Sequence, residues 1–226
     1  TDVGYFFISH VLVQFILIIV TTWTSTVAAL AAFPALQSAI QSLPTWAQFL
    51  LAVLCADLAQ ASLHRAYHRL PWLWRFHAVH HSSRHMDWLA GSRMHLFEIL
   101  ATRSFVLLPL VVLGFSAAAI NAYVILVGLQ AVLAHANLGL RFGWLEKVIV
   151  LPRYHHWHHA RRDDFVDANY AIHLPLVDRL MGTHRLPADG SWPEDYGILE
   201  PEQVPQGLWR QHLAPFLPPR RPEKPP

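Results

Sequence analysis

Apolar residues gather in four stretches along the chain, and their lengths predict helices that cross a membrane. The first runs from Tyr5 to about Leu30. At more than 20 residues it is long enough for a ~30 Å hydrocarbon core. It lacks the basic flank of a signal peptide and its apolar run is too long for one, so a span is expected. The second runs from about Trp46 to Leu63 and is interrupted only by Asp57 and Gln60. The third and fourth run from about Phe105 to Leu113 and from Ala117 to Leu138, with a bend expected at Gly114–Ser116. The third is short and is completed by the turn around Leu96–Leu100. The pattern therefore predicts an all-α integral membrane protein with about four transmembrane helices, at approximately 5–30, 46–64, 98–114 and 117–138.

Charge supports that reading and orients it. Only 14% of the 226 residues are charged and 54% are hydrophobic, against roughly 25% charged in soluble domains. All 17 Lys and Arg lie at Arg65 or later. The loop 31–45 has none, while 64–103 carries Arg65, Arg69, Arg75, Arg84, Arg93 and Arg103, and the other eleven lie at Arg141 or beyond. Basic loops face the cytoplasm. Segments 64–100 and 141–190 are thus expected to form one cytoplasmic cap, with both termini on that side. Residues 1–190 read as a single membrane-embedded domain. The proline-rich 191–226, ending PPRRPEKPP, reads as an extended C-terminal tail with little packing. The single cysteine, Cys55, excludes disulfides and cysteine-based metal sites. A net charge of +2 points to no nucleic-acid partner.

The 16 histidines are out of proportion to this composition, and they cluster. In "LHRAYHR", His64 and His68 are four apart and share a helix face. In "WRFHAVHH", His77, His80 and His81 fall at about 0°, 300° and 40° on a helix turning ~100° per residue. In "RYHHWHH", His155, His158 and His159 repeat those angles, while His156 falls near 100°, outside the arc. Each trio is expected to converge on one point. His135 lies at the cytoplasmic end of the fourth span, on the same side as the clusters. Neutral imidazole suits iron, copper, zinc and nickel. Eight or nine such ligands exceed the needs of one ion, so two ions are expected. Ring nitrogens that face away from a metal need partners. Asp57, two turns before His64 and inside an apolar span, is the foremost carboxylate for this, followed by Asp87, Glu98, Asp163, Asp164 and Asp167.

These three clusters, in this order, together with Asn169, Tyr170, Leu174, Pro175, Asp178, Gly182 and Thr183 of an "NY…LP…D…GT" ending, resemble the fatty acid hydroxylase and sterol desaturase superfamily over roughly residues 50–187. The resemblance implies a non-haem di-iron site, with zinc able to replace iron after purification. Its implied ligands are His64, His68, His77, His80, His81, His155, His158 and His159, joined by His135. A further family histidine would fall at Gly139, which leaves His95 and His173 as substitutes. Asp57, Asn169 and Asp178 are the candidates for supporting positions behind the ligands. The implied reaction is O2-dependent hydroxylation or desaturation of an unactivated C–H bond in a lipid entering from the bilayer. The chain has no dinucleotide fingerprint, haem-attachment motif or cysteine cluster, so a separate electron donor is implied: a ferredoxin, rubredoxin or cytochrome with its reductase. Arg161 and Arg162 are available to dock it or to bind lipid headgroups. The rival reading is a histidine-rich membrane metal-binding or transport protein. That would place ligands along a path at the bilayer midplane, not beyond span ends. A bis-histidine haem protein and a zinc protease, which needs H-E-x-x-H, fit less well.

Overall fold

The computed structural model describes residues 1–9, 33–200 and 204–218. Beyond Ser9, the expected span at 5–30 lies outside the described residues. The described helices are α1 (Asp2–Phe7), α2 (Pro34–Gln41), α3 (Thr45–Arg69), α4 (Pro71–His81), α5 (Leu96–Val112), α6 (Ala117–His135), α7 (Pro152–His158), α8 (Pro175–Met181) and α9 (Leu208–Leu213). Among the described residues there is no β-strand, only an isolated bridge between Ala160 and Tyr196.

Two of these helices, α3 and α6, are long and apolar enough to cross a membrane. At 25 residues, α3 is about 37 Å long, so it carries His64 and His68 past the end of its apolar run. Its small residues Ala52 and Ala56 are fully buried, which lets neighbouring helices approach closely. They pack with Val106, Leu107 and Leu110 of α5 and Tyr123 and Val127 of α6. Large apolar side chains on the outer faces stay exposed, among them Leu50, Ile125 and Leu129, as lipid contact requires. Both α5 and α6 pack on α3, and their apolar side chains share one core with it.

Several boundaries differ from the pattern-based expectation. The third span is a 17-residue helix, α5, about 25 Å long. It includes Glu98 and Arg103 and falls short of the roughly 20 apolar residues of a full span. The fourth ends at His135, because Ala136 turns extended (φ −65°, ψ 134°). Part of the loop 31–45 is helical, as α2. The bend at Gly114 is present, with φ +84°.

The described part of the C-terminal segment, residues 191–200 and 204–218, is packed rather than extended. Ile198 and Val204 bury against Tyr5, Ala78 and Val79, and the Tyr5 hydroxyl donates to the side chain of Gln211 (3.0 Å). Composition misleads here because the prolines only space the apolar anchors. The outer face of α4 needs a cover, and those anchors supply it.

Candidate metal centre

Two sharp turns bring the histidine clusters together. Leu70, held extended (φ −100°, ψ 112°) before Pro71, stops α3 and starts α4 at once, because a residue preceding proline avoids the helical region. His64 and His68 thereby face His77, His80 and His81. Pro152 opens α7 as its first residue, a position where proline's missing N–H is no loss. Residues 155–158 are consequently helical, with His159 at the C-cap.

The nine expected histidines fall into two compact groups: His64, His68, His77, His81 and His158, and His80, His135, His155 and His159. Each trio was expected to converge on one point; instead it is divided. The i and i+4 members stay together, with Nε2 atoms 3.1 Å apart in both His77–His81 and His155–His159. The i+3 member crosses over: His158 Nε2 lies 3.1 Å from His81 Nε2, and His80 Nε2 lies 3.4 Å from His135 Nε2. The cause is angular, since i and i+4 differ by about 40° around a helix while i+3 stands about 60° to the other side. The two groups abut, with His81 stacked on His159 at 4.3 Å between centroids.

The hydrogen bonds assign the protons. His64 Nδ1 donates to the Tyr170 carbonyl (2.9 Å), His158 Nδ1 to Ala168 (2.7 Å), His80 Nδ1 to Arg93 (3.0 Å) and His135 Nδ1 to Ala131 (2.8 Å). A carbonyl oxygen only accepts, so each of these rings keeps its proton on Nδ1 and presents a lone pair at Nε2. His77 Nδ1 meets the Glu98 carboxylate at 2.6 Å. Burial, reinforced by neighbouring histidines, holds His77, His80, His81, His155 and His159 well below the usual 6.5, so none is charged at neutral pH. His80 and His135 thus aim two lone pairs at each other with no proton to share. A cation between the rings resolves that repulsion. Metal–nitrogen bonds of about 2.0–2.1 Å give N···N edges of roughly 3.0 Å at right angles and 3.4 Å in a tetrahedron; the adjacent Nε2 pairs lie at 3.0 to 3.4 Å, and all the ligand atoms of each group within 4.8 Å of one another. The residues present fit a transition-metal ion in each group.

The remaining carboxylates do other work. Asp57 does not bond a histidine ring. It accepts the backbone N–H groups of Ile172 (2.9 Å), His173 (3.1 Å) and Leu174 (2.7 Å). Asp178 accepts from the Tyr170 and Ala171 amides, the Tyr154 hydroxyl and the Thr183 hydroxyl, all at 2.6–2.8 Å. Asn169, in the left-handed region at φ +62°, pairs both ways with the Arg185 backbone. The "NY…D…GT" ending is therefore a brace for loop 168–174, which presents the carbonyls that orient His158 and His64. Asp87 caps the turn at Leu89 and Ala90. Asp164 pairs with Arg162, and Asp167 with Arg69.

Among the histidines singled out from the sequence, three stay outside the groups. His156 meets the Tyr196 hydroxyl at 2.9 Å and turns its edge to Trp192, as its wheel position predicts. His95 caps α5 through Nδ1 and donates from Nε2 to the His212 carbonyl. His173 contacts Gln130 and leaves a buried Nε2 without a partner. Gly91 carries no sequence signal, yet a Cβ there would sit 2.9 Å from His135 Nδ1.

A cavity leads from His64, His77, His80, His135 and His155 between α3, α5 and α6, down to Val106, Leu107 and Val127. A second recess reaches His68, His81 and His158 from another side, framed by Trp74 and Ile198.

Fold and site together define a helical membrane protein with two buried imidazole clusters at the head of an apolar cavity, a class suited to metal-dependent chemistry on lipids. Residues 49–183 match the fatty acid hydroxylase family, and the chain belongs to it. It is 32% identical over 173 residues to an ornithine lipid hydroxylase of Rhizobium tropici, covering 75% of this chain and 50% of that protein. It is 30% identical over 151 residues to the alkylglycerol monooxygenase of Danio rerio, covering 67% and 33%, and 27% identical over 139 residues to that of Homo sapiens, covering 62% and 30%. The chain thus spans half or less of the length of these relatives. No solved structure matches it.

Proposed function

We propose that the chain is a membrane lipid hydroxylase that uses O2 at a dimetal centre, with iron as the native metal. His64, His68, His77, His81 and His158 would hold one ion, and His80, His135, His155 and His159 the other. When bound, the metals supply the O2-dependent oxidation of a C–H bond. The balance of the reaction is lipid C–H, O2, two electrons and two protons giving the alcohol and water. The chain's own residues supply the setting. Tyr170, Ala168, Arg93 and Ala131 carbonyls fix ring tautomers, and Glu98 orients His77. The apolar wall at Val106, Leu107 and Val127 receives the hydrocarbon part of the substrate and keeps water away. The cleft between α5 and α6 is the entry from the bilayer.

The observation that carries this reading is the pair of facing lone pairs on buried, neutral His80 and His135 at the head of an apolar cavity. The hydroxylase and monooxygenase names of the relatives favour it over metal transport. We further propose a multi-pass topology with the histidine cap and both termini in the cytoplasm, and a separate ferredoxin, rubredoxin or cytochrome donor. Lipid mass spectrometry of cells with and without the protein, under 18O2, tests the function. The expected result is a labelled lipid one oxygen heavier. A lipid lacking two hydrogens would make it a desaturase, and an unchanged lipid profile would refute the oxidase reading.

A further inference from the structure

We propose that Arg103 anchors a negatively charged group of the substrate, so that this site selects anionic over neutral amphiphiles. The proposal rests on the lipid-oxidising reading above. Arg103 lies midway along α5 and lines the cavity that reaches the histidines. Among the described residues lining it, Arg103 is the only Lys or Arg. Four other arginines are ion-paired: Arg69 with Asp167, Arg93 with Asp2, Arg153 with Glu146 and Arg162 with Asp164. Arg103 has no carboxylate within ion-pair distance among the described residues. Glu98, five positions earlier, stands about 140° around the helix and is taken by His77.

A cation in such a place needs a reason, because an unpaired charge at membrane depth is expensive and marks function by default. Long basic side chains often escape by reaching the headgroup layer. Arg103 instead lines the cavity wall. Its electrostatic neighbour is Tyr123, which precedes His135 on α6 by 12 residues, about 18 Å of helix. Tyr123 offers a hydroxyl and no compensating charge. The cation stands in a cavity wall to which both α5 and α6 contribute. A lipid entering there passes the guanidinium before it reaches the metals. A planar guanidinium matches carboxylate and phosphate alike, with two parallel hydrogen bonds. Below it, Val106, Leu107 and Val127 accept the hydrocarbon. The wall is thus graded from imidazole through one cation to apolar, which fits an anionic amphiphile.

The test uses the full-length, metal-loaded protein in nanodiscs and three probes of one chain length: a fatty acid, a phosphatidic acid and a neutral monoacylglycerol. Binding is read by competition against a radiolabelled fatty acid, without turnover. The wild type should bind at least one anionic probe about 10- to 100-fold more tightly than the neutral one, equivalent to ~1.4–2.8 kcal/mol. Whichever anion leads tells carboxylate from phosphate. In Arg103→Gln the ratio should collapse to near one, and in Arg103→Lys a reduced preference should survive. A wild type without preference, or Arg103→Gln with the full preference, overturns the proposal. If Arg103→Gln loses metal or melts early, Arg103→Lys decides, because loss of selectivity with charge retained is equally fatal. Selectivity without oxidation would count against the proposed function alone, and oxidation without selectivity against Arg103 alone.

Discussion

Replacing Gly91 with alanine adds one methyl group against one ligand, and the structure sets the size of the effect. The new Cβ would lie 2.9 Å from His135 Nδ1, 3.2 Å from its Cγ and 3.3 Å from the Ala131 carbonyl oxygen. Carbon prefers heavy-atom neighbours at about 3.5–4.0 Å, so the imidazole must retreat by roughly half an ångström. It has little room. Its Nδ1 is tied to Ala131 at 2.8 Å and its Nε2 stands 3.0 Å from His155 Nε2. Overpacking of this kind costs about 1–3 kcal/mol. A disturbed support for a ligand typically lowers metal affinity by about 10- to 100-fold. Gly91→Ala should therefore lose the ion of the His80–His135–His155–His159 group first. Metal analysis after dialysis against a graded chelator should fall from two ions per chain to one, at a chelator concentration the wild type survives. Gly128→Ala, on the same helix as His135 with open space around its Cβ, is the control and should keep both ions. If Gly91→Ala held both ions with wild-type chelator resistance, the placement of His135 as a ligand would be wrong.

Within α7, His155→Ala, His158→Ala and His159→Ala should each abolish oxidation with loss of metal, while His156→Ala should keep its metal; the reverse pattern in metal analysis would break the register. Glu98→Gln keeps an acceptor beside His77 but removes the charge, so metal affinity should fall about 10-fold or more in a chelator titration, chiefly at the five-histidine group. Asp57→Ala strips three backbone amides, one of them fully buried, of their acceptor, each worth up to about 1–3 kcal/mol, and a drop in Tm larger than that of Asp164→Ala should follow. Burial lowers His156 and His173 from 6.5 to about 4. Their contribution to stability is complete above pH 6.5 and lost as pH falls toward 4, on the order of 2 kcal/mol per histidine at pH 5. A pH-independent Tm of the metal-free protein between 7 and 5 would contradict their burial.

Helical periodicity made much of the site legible. The spacing of 155, 156, 158 and 159 is a property of the α-helix itself, so His156 could be set apart before any tertiary contact was known. The long apolar runs likewise predicted α3 and α6, and the helix that follows α3, α4, begins where Pro71 requires it. The brace at 168–174 was only half legible. Asp57 stands out as a carboxylate in an apolar run, but its partners are backbone amides 115–117 positions away, and amides leave no mark in a sequence. Gly91 was invisible for a similar reason: it has no unusual φ, only a distant ring against its Cα.

The sequence by itself determined that each cluster would present its imidazoles on a shared arc, because helix geometry is local. Only the tertiary structure decided which imidazoles meet. His80 leaves its own helix partners for His135, and His158 leaves its own for His81. A wheel assigns an angle to each side chain, but the point where two arcs intersect depends on the crossing of α4, α6 and α7. That crossing is set by the Leu70–Pro71 turn, the small buried residues of α3 and the loop held by Asp57 and Asp178. The C-terminal segment belongs to the same class of fact, since its few apolar anchors acquire meaning only from the face of α4 they cover.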